Sequence, residues 1–376
     1  MRFLHLSDLH VGKRLHEISM LDEQKAIFEQ IIAYLRGSPV DAVIIAGDIY
    51  DKSVPSESAV TLFSDFLEKL SELDLPILMI SGNHDSPERL SFAAGIMKKH
   101  KIYFVTDIKD SLTPVTLCDE YGSVNFYLLP YMCPSDVRNV FGECFDNHSQ
   151  AVSYMTEKMA VDASRRNVIV SHQFVSGGAV IDSETHVGGL ESVSAEAYKA
   201  FDYAALGHLH TPQNIGNKAV RYCGTPLKYS ESEVRVSKSM TIVELKEKGT
   251  LSVETVPLVP IHDMIVIEGS VNELCDPKNA TDKYVYAVVT DTNDVTGINA
   301  MLRSVYPNFV NLTFRFGSSD GEETMLLTGG IDKKKSPFEV FCDFYRAQHN
   351  TEMSELHMRI LKEALEKEGG ADNAPA

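Results

Sequence analysis

Phe3-Leu4-His5-Leu6-Ser7-Asp8-Leu9-His10 opens on an apolar run and closes on an Asp-x-His pair. In an extended segment the side chains at i and i+2 project to one side, so Asp8 and His10 face the same space. The pattern recurs four times. Ala42-Val43-Ile44-Ile45-Ala46 leads into Gly47-Asp48, and Ile77-Leu78-Met79-Ile80 leads through Ser81 into Gly82-Asn83-His84-Asp85. Val168-Ile169-Val170 leads into Ser171-His172, and Tyr203-Ala204-Ala205-Leu206 into Gly207-His208-Leu209-His210. Each run is short and largely apolar, as a strand buried on both faces requires.

Amphipathic stretches separate the first three runs. Ile27, Ile31, Tyr34 and Leu35 share a helical face, with Gly37 as a stop. Ala59, Leu62, Phe66 and Leu70 repeat the pattern after Ser56, which reads as an N-cap. Alternating strand and helix predicts an α/β fold, and such folds gather ligand sites at the C-terminal ends of their strands. Residues as distant as Asp8 and His210 would meet there.

Asp8, His10, Asp48, Asn83, His172, His208 and His210 offer the oxygen and nitrogen donors that suit a pair of divalent first-row metals. Alone, Asp8 or Asp48 would read as a helix or turn cap. The i, i+2 pairs 8/10 and 208/210 turn the set into a metal site. His5, His16, His100, His148, His186, His262, His349 and His357 read instead as structural or solvent-exposed. The six cysteines, at 118, 133, 144, 223, 275 and 342, contain no C-x-x-C pair. They indicate neither a zinc finger nor a disulfide framework, and reduced cytosolic thiols are the simplest account. Gly177-Gly178 and Gly188-Gly189 precede no helix of the phosphate-cradling kind.

These motifs resemble the calcineurin-like metallophosphoesterases, whose pattern is D-x-H, G-D, G-N-H-D or E, a lone histidine, and G-H-x-H. The likeness extends to Val11-Gly12, Ile49-Tyr50-Asp51, Ser86, Tyr222-Cys223-Gly224-Thr225-Pro226 and Tyr229-Ser230-Glu231. It spans the first two-thirds of the chain and points to the bacterial nuclease subunits that work with an SMC-like ATPase. The resemblance implies a metallophosphoesterase β-sandwich flanked by helices, with a small α/β capping domain and a C-terminal helical partner-binding segment. It places one metal on Asp8, His10, Asp48 and His210, and a second on Asp48, Asn83, His172 and His208, with Asp48 bridging. His84 then stands beside the scissile phosphate as proton donor, with Asp85 orienting its imidazole. Asp51 occupies a position where archaeal and eukaryotic relatives often carry a histidine, and it leaves the metal ligands untouched. By resemblance the metals are Mn²⁺ first and Mg²⁺ second, since an imidazole-rich site suits Mg²⁺ poorly.

The implied activity is double-strand 3′–5′ exonuclease and single-strand or hairpin endonuclease, in DNA repair, recombination and replication. Its partners would be DNA and an SMC-like ATPase subunit, with the chain as a homodimer inside a heterotetramer. Two metals about 3.5–4 Å apart stabilise both the attacking and leaving oxygens of an in-line displacement, which supports hydrolase chemistry independently. The enzyme alternative acts on small nucleotides or phosphoproteins and predicts a compact single domain. A non-catalytic scaffold would have lost ligands.

At 376 residues the chain accommodates two or three domains. The expected division is 1–258 nuclease domain, 259–332 capping domain, 336–368 helical ATPase-binding segment and 369–376 disordered tail. Strand-like runs at 264–267, 284–290 and 312–316, with a helical stretch at 298–305, make up the capping domain. Ser336-Pro337-Phe338-Glu339 combines an N-cap, a proline at the first helical position and a capping-box glutamate. The expected partner contacts are Phe338, Phe341 and Tyr345 on this helix and Leu356 and Ile360 on the next. No apolar run reaches the ~18–20 residues that span a membrane, and the start is not a signal peptide. A soluble, cytoplasmic protein without a membrane partner is expected. A net charge of −18 is awkward for a nuclease, because DNA affinity rests on Lys and Arg neutralising phosphates. Either the metals and a few local cations suffice, or the partner supplies most of the DNA grip.

Overall fold

The computed structural model describes residues 1–180, 191–291 and 297–315, together with the single positions 338, 353, 357, 358 and 361. The chain begins with β1 (Arg2–Leu6), the short hairpin β2 (Arg14–Leu15) and β3 (Ile18–Ser19), and α1 (Leu21–Gly37). Then come β4 (Ala42–Ala46), α2 (Glu57–Ser71), β5 (Ile77–Ile80), the one-turn helices α3 (Pro87–Leu90) and α4 (Ala94–Met97), and β6 (Ile102–Val105). A second run holds β7 (Val115–Asp119), β8 (Gly122–Leu129), α5 (Pro134–Phe141), α6 (His148–Lys158) and β9 (Arg166–His172). It continues through β10 (Tyr203–Gly207), β11 (Gln213–Asn214) and β12 (Val220–Tyr222) to the hairpin β13 (Ser239–Leu245) and β14 (Leu251–Pro257). The last run is β15 (Met264–Gly269), α7 (Val271–Leu274), β16 (Tyr284–Val289), α8 (Ile298–Val305) and β17 (Phe309–Phe314).

Two six-stranded sheets, ordered β14-β13-β1-β4-β5-β6 and β11-β12-β10-β9-β8-β7, pack face to face. In the first, β1, β4, β5 and β6 run parallel while β13 lies antiparallel along the free side of β1. Strand periodicity explains the layering. Ala42, Ile44 and Ala46 of β4 enter the space between the sheets, whereas Val43 and Ile45 face the helices. In the inter-sheet core, Phe3 meets Phe126 and Tyr203 edge-on, with centroids 5.6 and 5.8 Å away. The outer face of the first sheet lies under α1 and α2, whose Phe28 and Phe66 stack at 4.1 Å; α6 covers the second sheet. Ser56 caps α2, its hydroxyl accepting from the Ala59 N–H. The Arg166 guanidinium crosses from one sheet to the other, donating to Asp119 and to the carbonyls of Gly122, Leu245 and Lys246.

The small C-terminal unit is a parallel sheet, β15-β16-β17, with its own core of Val285, Ala287, Val289, Leu302, Tyr306 and Phe309. Its third strand starts at Phe309 rather than at 312, because the pairing of Val285 with Phe309 recruits the chain directly after Asn308. The opposite face, through Met264, Tyr284, Tyr286 and Val310, joins the core beneath α1. Glu23 of α1 fastens this contact. Its carboxylate accepts from the N–H groups of Ile261 (2.7 Å) and His262 (3.1 Å), the His262 ring (2.7 Å) and the Tyr284 hydroxyl (3.3 Å). Phe338 has helical backbone, whereas Phe341, Tyr345, Leu356, Ile360 and the tail 369–376 lie outside the described residues. Among the described residues, no helix is long and apolar enough to cross a membrane.

Candidate metal centre

Every candidate ligand stands at or just beyond the C-terminal end of a strand: Asp8 and His10 after β1, Asp48 after β4, and Asn83 after β5. His172 closes β9, and His208 and His210 follow β10. The two sheets thus contribute to one rim. The chain leaves these strands under strain, with Asp8 at φ 51°, His10 at 44°, Asp48 at 49° and His208 at 107°. Such conformations cost about 1–3 kcal/mol each and persist only where surrounding contacts enforce them. Here the Asp8 N–H donates to the Gly47 carbonyl (3.0 Å), His10 N–H to the Asp48 carbonyl (3.0 Å) and His208 N–H to the Asp8 carboxylate (3.0 Å). Glycine is required before Asp48 and before His208. A Cβ at 47 would strike the His172 ring, and one at 207 would strike the Ala46 carbonyl.

The His172 ring donates from Nδ1 to the Ala46 carbonyl at 2.7 Å, which leaves Nε2 for a ligand. That nitrogen sits 3.1 Å from Asn83 Oδ1, 3.4 Å from Asp48 and 4.0 Å from Asp8. His208 Nδ1 approaches the same Asn83 oxygen at 3.0 Å. His10 and His210 bring their Nε2 atoms within 3.2 Å of each other, and among the described residues His10 Nδ1 has no hydrogen-bond partner, its nearest carboxylate being Asp51 at 4.0 Å. Ligand atoms of Asp8, His10 and His210 lie within 4.8 Å of one another, as do those of Asp8, Asp48 and His172. The set His10, Asp48 and His84 is equally tight. Crowded ring nitrogens and two buried carboxylates fit divalent cations.

Electrostatics agree. Burial pushes Asp8 up to about 6. For Asp48 the burial is outweighed by His172, His10 and His84, which hold its carboxyl below the ordinary range. His172 is raised to about 9, because Asp48 and Asp8 overcome the cost of its burial. Burial keeps His10 well below its usual value, hence neutral and able to coordinate. A divalent cation held here by Asp8, Asp48 and His172 would take the place of the His172 proton and offset the two buried carboxylates.

His84 is exposed at the rim, its Nδ1 2.9 Å from the Asp51 carbonyl. A carbonyl only accepts, so Nδ1 carries the proton. The expected contact from Asp85 to this ring is absent. The Asp85 carboxylate instead accepts from the N–H groups of Gly82 (2.9 Å), Tyr50 (3.0 Å) and Ile49 (3.1 Å), tying the loop after β5 to the loop after β4. Asp51 receives Lys13 at 2.8 Å. His5 bonds Tyr203 and the Leu206 carbonyl, and burial lowers it to about 3, so it stays a neutral structural group.

Sequence reasoning missed the supports. Gln24 and Tyr229 both donate to the Leu9 carbonyl, and Gln24 also to that of His10, which pins the first ligand loop. Glu233 lies behind His210, 3.4 Å from its Nδ1. Of these, only Tyr229 fell within a motif of the family resemblance.

Residues 1–212 match the family model of calcineurin-like phosphoesterases. Residues 260–349 match the one described as the type 5 capsule protein repressor C-terminal domain. The chain is 31% identical over 375 residues to the SbcD subunit of nuclease SbcCD from Staphylococcus epidermidis, covering 97% of this chain and 98% of that protein. Among solved structures, TT1561 of Thermus thermophilus aligns with a TM-score of 0.39 and 16% identity, over 68% of this chain and 98% of that one. A dimetal phosphatase from Danio rerio aligns at 0.41 and 12%, over 69% and 97%. The chain belongs to the calcineurin-like phosphoesterases. Over nearly its whole length it is a homologue of the SbcD nuclease subunit, and a hydrolase using divalent metal ions.

Proposed function

We propose that this chain is the nuclease subunit of a two-component DNA-processing complex, acting with an SMC-like ATPase of the SbcC type. The observation that carries the reading is the convergence of seven donor residues on one rim beside an exposed histidine. Asp8, His10, Asp48 and His210 hold one metal; Asp48, Asn83, His172 and His208 hold the other. When bound, the pair activates water and stabilises the charge that develops on the phosphate. The chain's own residues do the rest. Protonated His84 gives its Nε2 proton to the leaving alkoxide oxygen, while the Asp51 carbonyl retains Nδ1–H and keeps the ring in place. The donors of this site favour Mn²⁺ over Mg²⁺. Cutting proceeds 3′–5′ on duplex ends and endonucleolytically on single strands and hairpins, in the cytoplasm, as a homodimer within a heterotetramer. The unit after Pro257 caps the rim, and residues 336–368 grip the ATPase through Phe338, Phe341, Tyr345, Leu356 and Ile360.

The test is to incubate the purified chain with labelled linear duplex and with bis-p-nitrophenyl phosphate in Mn²⁺, Mg²⁺ or EDTA. Hydrolysis of both substrates in metal, faster in Mn²⁺ and absent in EDTA or in Asp48→Asn, is expected. Failure to cleave either in any metal refutes the reading. A chain ending at Lys335 should keep the small-substrate activity and lose the ATPase; loss of both would place the segment in the catalytic fold.

A further inference from the structure

Behind the rim lies a carboxylate that belongs to no ligand motif. Glu233 is fully buried at 0% exposure. Besides the His210 ring, its oxygens accept from the Ser230 hydroxyl (3.0 Å), the Thr225 hydroxyl (3.2 Å), the Tyr229 N–H (3.3 Å) and the Lys238 ammonium. Lys238, also buried, donates to the His210 carbonyl at 2.9 Å and to the Thr225 hydroxyl at 2.6 Å. The Thr225 N–H reaches the same His210 carbonyl at 3.1 Å. One ion pair therefore holds His210 at both ends, the carboxylate at the ring and the ammonium at the backbone.

Fold stability alone does not account for this pair. A buried salt bridge is often no better than an apolar pair of the same volume, since desolvation offsets the attraction. What an apolar pair cannot do is accept a proton from an imidazole. An Nδ1–H donated to a carboxylate leaves Nε2 unprotonated and more basic, the usual support of a metal-bound histidine. His210 Nε2 is the atom that faces His10.

We propose that Glu233 is a positioning residue for His210, fixing the tautomer that frees Nε2 for the cation while Lys238 anchors the backbone beneath it. This rests on the two-metal reading above. The role is confined to the metal that His210 holds; the other metal is untouched.

Mn²⁺ titration calorimetry separates the possibilities, with the wild type, Glu233→Gln, and Glu233→Ala combined with Lys238→Met so that no charge is left buried alone. Two binding events are expected in the wild type. In the double variant one weakens by about 10–100-fold, the range for losing such a support, and the other is unmoved. Glu233→Gln, whose amide oxygen still accepts, should lose less. Unchanged affinities in folded variants, or equal weakening of both, overturn the proposal. A wild type that binds no Mn²⁺ overturns the metal reading beneath it. Should the variants not fold, ¹⁵N-histidine spectra of the Zn²⁺-loaded wild type decide. A proton on His210 Nδ1, identified by its loss in His210→Gln, supports the role, and a metal-bound Nδ1 defeats it.

Discussion

His84 and Asp85 are neighbours in sequence and differ entirely in what they do. His84 is open to solvent with one ring nitrogen held; Asp85 is turned inward to three backbone N–H groups. His84→Gln should keep metal content and substrate affinity while turnover falls by ~10²–10⁴-fold, the contribution of a general acid. Metal analysis beside single-turnover kinetics checks this, and loss of a metal would make His84 a ligand instead. The polar residues of the rim were legible because each follows an apolar run that fixes where it must stand. The role expected of Asp85 failed because adjacency in sequence is not contact. Its burial next to freed backbone donors, which leaves no trace in the motif, decides its partner.

Helix α1 does more than its amphipathic pattern announces. Ile27, Ile31 and Leu35 pack on the sheet as the spacing of apolar residues predicts. Glu23 and Gln24, which read as ordinary polar residues of a first turn, are both buried. Their partners lie in the Leu9 loop and in the chain around Ile261, so nothing local signals them. Glu23→Ala strands several donors at once, and an unmet buried group costs about 1–3 kcal/mol. Amide exchange should therefore quicken in residues 258–263 and in β15 and β16, while β1 and β4 keep their protection and the metals stay bound. Exchange that quickens evenly across the chain would show that Glu23 supports the whole fold. The strands ending at the rim were legible to within two residues or so, since runs buried on both faces are unmistakable. The antiparallel partner of β1 was not, because pairing between distant segments imprints no period on either.

At the scale of the molecule, the two sheets are joined by apolar packing and by charged contacts, among them Arg166, which pairs with Asp119 in its own sheet and donates to the Leu245 and Lys246 carbonyls of the other. Hydrogen bonds from Arg166 hold the Asp119 carboxyl well below the usual carboxylate range. A depressed carboxylate contributes stability that is fully present above its unfolded value, near pH 4, and is lost as pH falls through the lower folded value. Asp119→Asn should cost about 3 kcal/mol at pH 7, the low end for breaking a buried pair, because Arg166 keeps its carbonyl partners. The gap between variant and wild type should narrow below pH 4, as urea melts at several pH values would reveal. A gap that is constant with pH would assign the loss to packing.

The pairing of β1 with β13 also sets a timetable. β1 is made early and waits for a partner that begins at Ser239, a delay on the order of 10–50 s at 5–20 residues added per second. For most of that interval the nascent chain carries Asp8, His10 and Asp48 but lacks β13, and His208 and His210 have yet to be synthesised. During that time the emerging chain lacks two of its candidate ligands, and its first apolar strand is open along one edge, the kind of surface a chaperone recognises.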